Sequence, residues 1–318
     1  MEKWGTDVSR AAEALRKGQL VGIPTETVYG LAANALDSLA VARIFEAKNR
    51  PAFDPLIVHL ARFEQVERYC SQVPPLAYRL AEVFCPGPLT FILPKKAIIP
   101  DLVSAGHATV GIRVPNHPLS LQLLEALDFP LAAPSANPFG YVSPTTAQHV
   151  LQQLGDAVAY VLDGGPCSVG LESTIIDLSG GEPKVLRLGG LSLEALEAAV
   201  GQALPVQTSS SNPRAPGMLV KHYAPRTPLL WQHEVTELPA GRIGYLRFSS
   251  PLPQVDPQHQ WLLSPANSLP EAASKLFATL RLLDDMRYDW VLVEKFPETG
   301  LGLAINDRLT RAVQSRLP

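Results

Sequence analysis

Seven short, β-rich apolar runs punctuate the first two hundred residues of the chain, at 20–23, 55–60, 90–93, 109–114, 159–162, 174–178 and 185–188. Between several of them lie segments with helical spacing, at 39–48, 75–84, 118–127 and 145–154. A further helix is predicted at 7–17, with Asp7 as its N-cap and Gly18 as its stop. This alternation specifies an α/β fold. Some strands are joined by helices and others by short turns such as Ser179-Gly180-Gly181, which predicts a mixed sheet rather than a purely parallel one.

At 318 residues the chain exceeds what one core usually organises, so two domains are expected. After a helical stretch at 193–200, residues 208–228 turn rich in serine, proline and glycine and lose periodicity, as an interdomain linker does. The middle of that linker, Gly217-Met218-Leu219-Val220-Lys221-His222-Tyr223, is too apolar and aromatic for a spacer, and part of it is expected to dock. Strands at 229–231, 243–248 and 290–293 with helices at 269–286 and 304–316 complete a second, smaller α/β domain. The expected division is a large domain at 1–205, a linker or lid at 206–228 and a small domain at 229–318.

Charge and cysteine usage exclude several classes. Residues 1–205 carry 15 Lys and Arg against 20 Asp and Glu, and 206–318 carry 12 against 10, so an extended grip on nucleic acid phosphates is not supported. Cys70, Cys85 and Cys167 form no CxxC pair, and no basic start leads into an apolar signal core; a reducing, cytoplasmic setting follows. No apolar run approaches the roughly 18 residues that a membrane span needs. The sequence also contains no GxxxxGK[ST], complete GxGxxG, HExxH or GxSxG, which removes the usual support for P-loop, dinucleotide, zincin and hydrolase-elbow readings. Gly300-Leu301-Gly302 is half a fingerprint and reads as a structural turn.

Four segments set polar residues and glycines beside apolar strands. Pro24-Thr25-Glu26-Thr27-Val28-Tyr29-Gly30-Leu31 follows a strand and reads either as a donor-rich ligand turn or as a strand-end turn capped by threonine. Lys48-Asn49-Arg50-Pro51 ends a helix in two cations, and a strand beginning at Pro55 leads to His59. In Thr109-Val110-Gly111-Ile112-Arg113-Val114-Pro115, Arg113 points to the face opposite Ile112 and Val114, where an arginine is ordinarily solvated. Ala133-Pro134-Ser135-Ala136-Asn137-Pro138 continues to Ser143-Pro144, which on its own is a helix N-cap with proline at N1.

Taken in order, and followed by Asp163-Gly164-Gly165, Gly170-Leu171-Glu172-Ser173-Thr174-Ile175 and Leu186-Arg187-Leu188-Gly189, these segments resemble the YrdC-like family of threonylcarbamoyl-AMP synthases. Ala215-Pro216-Gly217-Met218, His222-Tyr223-Ala224-Pro225 and the closing Gly300 to Leu309 resemble the long, two-domain form of that family. The resemblance implies a YrdC-like domain with a twisted mixed sheet and a smaller Rossmann-like C-terminal domain. It implies a nucleotidyltransferase that condenses L-threonine, bicarbonate and ATP, with Mg²⁺, to threonylcarbamoyl-AMP and pyrophosphate. The product serves threonylcarbamoyladenosine formation beside the tRNA anticodon. Other proteins then transfer the group, so direct tRNA contact is expected to be weak or absent.

Carried over position by position, the resemblance implies Arg50, Asp54, Thr109, Ser135, Ser143, Arg187 and Tyr223 on the ATP side, and Thr27, His59, Arg113, Ala133 and Ser173 on the threonine side. Lys48, Arg50, Ser135 and Asn137 are the candidate catalytic groups, with Lys48 as an electrostatic clamp. Arg113 is the natural bidentate partner of the amino acid carboxylate, and Ala133 offers only backbone or shape. Tyr223 requires the linker to fold over the nucleotide as a lid. No carboxylate cluster has metal-ligand spacing, so Mg²⁺ is expected on phosphates and waters. Two other readings stand beside this one: a non-catalytic module for structured RNA, and carbamoyl transfer in metal-centre maturation, which three unpaired cysteines do not equip the chain for.

Overall fold

The structure, a computed structural model, describes residues 2–210, 213–218 and 223–314. Strands are β1 (Trp4–Gly5), β2 (Val21–Ile23), β3 (Gly30–Asn34), β4 (Ile57–His59), β5 (Leu89–Pro94), β6 (Thr109–Arg113), β7 (Leu131–Ala132), β8 (Tyr160–Leu162), β9 (Thr174–Asp177), β10 (Lys184–Arg187), β11 (Leu229–Trp231), β12 (Ile243–Arg247), β13 (Gln260–Leu262) and β14 (Trp290–Val293). Helices are α1 (Val8–Arg16), α2 (Ser38–Lys48), α3 (Pro75–Phe84), α4 (Asp101–Ser104), α5 (Pro118–Glu125), α6 (Ala147–Leu154), α7 (Leu193–Val200), α8 (Leu269–Asp285) and α9 (Leu301–Gln314).

The first ten strands form one sheet in the order β1-β8-β2-β3-β7-β4-β6-β5-β9-β10. Its pairings are mixed as expected: β4 runs parallel to β6 and β5 to β9, while β5 with β6 and β9 with β10 are antiparallel. The other four strands form a parallel sheet, β11-β14-β12-β13.

Alternation along the strands sorts the large sheet into two faces. Val58, Phe91, Ile112, Ile176 and Val185 point to one face and join the main core with α2, α3, α6 and α7. On the other face α1 and α5 cover Val21, Ile23 and Ala32, whereas Ile57, Ile92, Ile175 and Leu186 meet Ala215 and Met218 from the linker. Part of the linker therefore docks, as its apolar composition predicts; residues 219–222 of that stretch lie outside the described residues. A third core joins the two sheets, with Val28, Val142 and Leu171 packed among Phe277, Leu280 and Leu309 of α8 and α9.

Several local expectations are corrected. The segment at 24–31 is a turn only as far as Tyr29, for Gly30–Asn34 forms a central strand. Its Gly-Leu-Ala-Ala-Asn sequence is poor in β-formers, but a side chain at Gly30 would meet the Ala133 Cβ at 3.2 Å and Ile23 at 3.3 Å, so the pairing needs small residues. Helix α6 is capped by Thr146, which accepts from the His149 amide, and not by Ser143. The last helix starts at Leu301, after Gly300 at φ 52°, three residues earlier than expected, and its expected end at Arg316 lies outside the described residues.

Gly170 marks a close approach between the two parts of the chain. It sits at φ 75°, and a methyl there would come within 2.5 Å of the Ser274 Cα and 2.7 Å of the Ala273 carbonyl oxygen in α8. Gly170→Ala is expected to destabilise the protein by about 1–3 kcal/mol through overpacking, with faster amide exchange in α8. Gly181→Ala, where the added methyl meets nothing within 4 Å at the same φ, should show a smaller loss in urea melts and no change in α8.

Candidate active site

A single row of residues crosses five adjacent strands on the face that the linker covers. His59 on β4 is level with Arg113 on β6, Arg113 with Thr90 on β5, Thr90 with Ile175 on β9, and Ile175 with Arg187 on β10. At about 4.8 Å per strand, Arg113 and Arg187 stand roughly 14 Å apart along the row. Strict alternation would send Arg187 to the same side as Val185, into the main core. The register of β10 shifts between Val185 and Arg187, so two residues on β10 oppose one step of β9. This bulge places Leu186 and Arg187 on the same face.

Loops complete the site. Ser135 lies past β7, where its backbone bridges to Gly30. Lys48 fixes this loop from behind: its Nζ donates to the carbonyl of Ser135 at 2.5 Å and to that of Asn137. Burial, and then Arg50 beside it, lowers the lysine's pKa well below the usual value. Asn137 donates to the carbonyls of Pro138 and Tyr141 at 2.8 and 2.9 Å. Arg50 follows α2, gives Nε and Nη2 to the carbonyls of Asp54 and Pro55, and ion-pairs with Asp54 at 2.9 Å. Asp54 is fully buried, and the pair lacks hydrogen-bond angles. Burial raises its carboxyl above the usual range, opposed by Arg50.

The linker lies across the row as a strap. Arg187 Nη1 donates to the Pro216 carbonyl at 3.2 Å, His107 Nε2 faces the Pro213 carbonyl at 3.0 Å, and Arg214 pairs with Asp177 at 3.1 Å. Tyr223 is 1% exposed, stacks on Phe277 at 5.7 Å and lies under the Arg308 guanidinium at 5.0 Å. Its backbone is left-handed, at φ 62°. Beneath the strap remains a cavity of about 50 Å³ lined by Arg50, His59, Arg113, Ala133, Ser135, Ser173, Arg187 and Tyr223, with Val28, Ile57, Pro134, Glu172, Pro216 and Gly217.

Eight of the expected site residues therefore converge on one cavity, and six stand behind or beside it. Thr27, fully buried, shares a 2.8 Å hydrogen bond with the Thr25 hydroxyl. Ser143 donates to Glu172 at 2.6 Å. Thr109 keeps to the face of Arg113, four residues along β6, with its hydroxyl buried and unpartnered among the described residues. Lys48, Asp54 and Asn137 line no part of the cavity; the lysine, expected to clamp phosphate, is occupied by backbone carbonyls. Ala133 donates its amide to Ile57 at 3.0 Å and so offers the cavity only shape and its carbonyl.

Sequence reasoning missed the acidic partners. Arg113, 4% exposed and not solvated, pairs with Glu26 at 2.7 Å. Glu172 lines the cavity and pairs with Arg308 of α9 at 2.9 Å. Both acids lie inside the quoted motifs, which was the available signal; Arg308 had none beyond its place in the closing segment. Among the described residues Arg187 has no carboxylate within ion-pair distance; Ser173 receives its Nε and Nη2 at 2.9 Å each. Burial lowers its pKa to about 10.

The Sua5/YciO/YrdC family profile, described as telomere recombination, matches residues 13–189, and the profile for the threonylcarbamoyl-AMP synthase C-terminal domain matches 191–313. Threonylcarbamoyl-AMP synthase of Pyrococcus abyssi is 40% identical over 335 residues, covering 100% of this chain and 96% of that protein. The chain belongs to the threonylcarbamoyl-AMP synthase family. The Bacillus subtilis member is 39% identical, covering 98% of this chain and 94% of its own. A crystal structure of P. abyssi Sua5 complexed with L-threonine superposes with a TM-score of 0.90 at 40% identity, covering 97% of this chain and 94% of that one. The synthase resemblance in the sequence and the expected mixed α/β fold are both borne out.

The histidine in the row is held neutral. Burial, then Arg113, lowers the His59 pKa from 6.5 to about 3, against the pull of the Ile57 and Leu131 carbonyls. The unfolded chain binds this proton below pH 6.5 and the folded chain does not, so stability falls as pH drops from 6.5 toward 3. His59→Gln should reduce that slope by about 1 kcal/mol per pH unit, measured from urea midpoints at pH 7, 6 and 5.

Proposed function

We propose that the chain is an L-threonylcarbamoyladenylate synthase that makes threonylcarbamoyl-AMP and pyrophosphate from L-threonine, bicarbonate and ATP. The observation that carries this reading is the buried row with Arg113 near one end and Arg187 at the other, under the docked linker. The two guanidiniums give one site two separated anion-binding points. Arg113 suits the threonine carboxylate, with His59, Ala133 and Ser173 around the amino acid and Thr27 shaping the wall through Val28. Arg187, Arg50, Ser135 and Tyr223 suit the triphosphate and its nucleoside, with Thr109, Ser143 and Asp54 in support.

The chemistry asks mainly for positioning. The threonine amine attacks bicarbonate, a C–N bond forms and water leaves, giving a carbamate. A carbamate oxygen then attacks the α-phosphorus, and pyrophosphate departs with the electron pair of the broken P–O bond. A neutral His59 adds no positive charge beside the amine. Lys48 acts here as the brace of the Ser135 loop. The donor set does not fit a protein-held magnesium ion: Glu26, Asp54 and Glu172 are each paired with an arginine, so the ion belongs with ATP as its counter-ion.

Pockets that hold ligands of drug size measure roughly 300–1,000 Å³, against about 50 Å³ here. The strap must therefore lift to admit ATP and, once closed, excludes water from the carbamate. The acidic balance of residues 1–205 favours a small product handed to other proteins for tRNA modification over direct tRNA contact.

Pyrophosphate release with ATP, Mg²⁺, L-threonine and bicarbonate is expected, and omission of any one component should abolish it. Release indifferent to bicarbonate would mean direct activation of the amino acid; no release from folded protein would overturn the reading. Arg113→Lys should raise the threonine KM at least tenfold with a smaller change for ATP, and Arg187→Lys should do the reverse, because a lysine cannot keep the guanidinium's several protein partners and also meet the ligand.

A further inference from the structure

Arg308 is the largest fully buried side chain among the described residues, at 1% exposure, and it belongs to α9 while its main partner belongs to the large sheet's domain. Its Nε donates to Glu172 Oε2 at 2.9 Å and its Nη2 to the Leu188 carbonyl at 2.7 Å. Its Nη1 pairs at 2.7 Å with Asp307, whose carboxylate also binds Arg311 at 2.9 Å. Arg308 does not line the cavity, but Glu172 does, at 6% exposure. Burial would raise the Glu172 pKa, yet Arg308, Arg187 and the Ser143 hydroxyl outweigh it and keep the group ionised. A carboxylate there repels any polyanion, and the repulsion is large where water is excluded.

We propose that Arg308 is a positioning residue for nucleotide binding: from the second domain it neutralises Glu172 and holds it on Ser143, leaving the charge of Arg187 available to a triphosphate. The inference rests on the synthase reading of the site and gives α9 a defined task in it. Arg308 acts through Glu172 and not by touching nucleotide. Its guanidinium also lies 5.0 Å over the Tyr223 ring, a contact of smaller worth, so most of the loss, though not all of it, depends on the charge of Glu172.

The test is calorimetric titration of the full chain with α,β-methylene-ATP and Mg²⁺, and separately with L-threonine, each variant first checked for folding by circular dichroism. Arg308→Gln should weaken nucleotide binding at least tenfold and threonine binding less than twofold. The double variant Glu172→Gln with Arg308→Gln should bind nucleotide within threefold of Glu172→Gln alone. Unchanged nucleotide affinity in Arg308→Gln, equal weakening of both ligands, or a double variant as weak as Arg308→Gln would each overturn the proposal. Should Arg308→Gln not fold, the Glu172→Gln pair decides: equal affinity with and without Arg308 supports it, and a tenfold gap overturns it. An unsubstituted protein that binds threonine but no nucleotide overturns the synthase reading, and the proposal with it.

Discussion

Guanidinium groups buried on one face of a sheet set the terms for the rest of the structure. An unpaired charge taken out of water costs far more than a fold can absorb, so each arginine brings its own compensation. Asp54 answers Arg50, Glu26 answers Arg113, and Arg308 answers Glu172. Arg187 is held by the backbone and hydroxyl of Ser173 and by the strap carbonyl at Pro216. These pairings tie the β2–β3 turn, the loop after α2 and the last helix to the same few side chains. The site is thus a consequence of charge balance spread over the whole chain.

The second domain is part of that balance. Arg281 of α8, 6% exposed, donates to the carbonyls of Val142 and Ser143 and to Gln153 at 2.9 Å. Arg308 of α9 reaches Glu172 two residues beyond the close approach of Gly170 to α8. Two helices of the small sheet's layer therefore grip the segment at Val142 and Ser143 and the segment at Glu172 that lines the cavity, and an apolar core through Val28, Val142 and Leu171 keeps them in place.

Much of this was legible in the sequence. Period-two alternation in 109–114 put Arg113 opposite the core, and the structure confirms that side while replacing solvent by Glu26. Helix α7 matches its expected bounds, and α2 differs from them by a single residue at its start, because their spacing and caps are strong. What was not legible depends on distant contacts. A two-residue strand at Leu131–Ala132 has no periodicity to read. The direction of Arg187 is reversed by a bulge that no local pattern announces. Lys48 carries the residue type of a phosphate clamp, and only the position of the 135–137 carbonyls shows where its protons go.

Tyr223 shows what the docking of the strap costs locally. A bulky aromatic residue in the left-handed region costs roughly 1–2 kcal/mol, and at φ 62° that strain is sustained by stacking on Phe277 and by the Arg308 guanidinium above the ring. The stacking on Phe277 therefore does more than fill space: it offsets a backbone cost that Tyr223 would otherwise relieve by leaving the left-handed region. At this one residue the packing of two helices decides a backbone conformation that the local sequence would not choose.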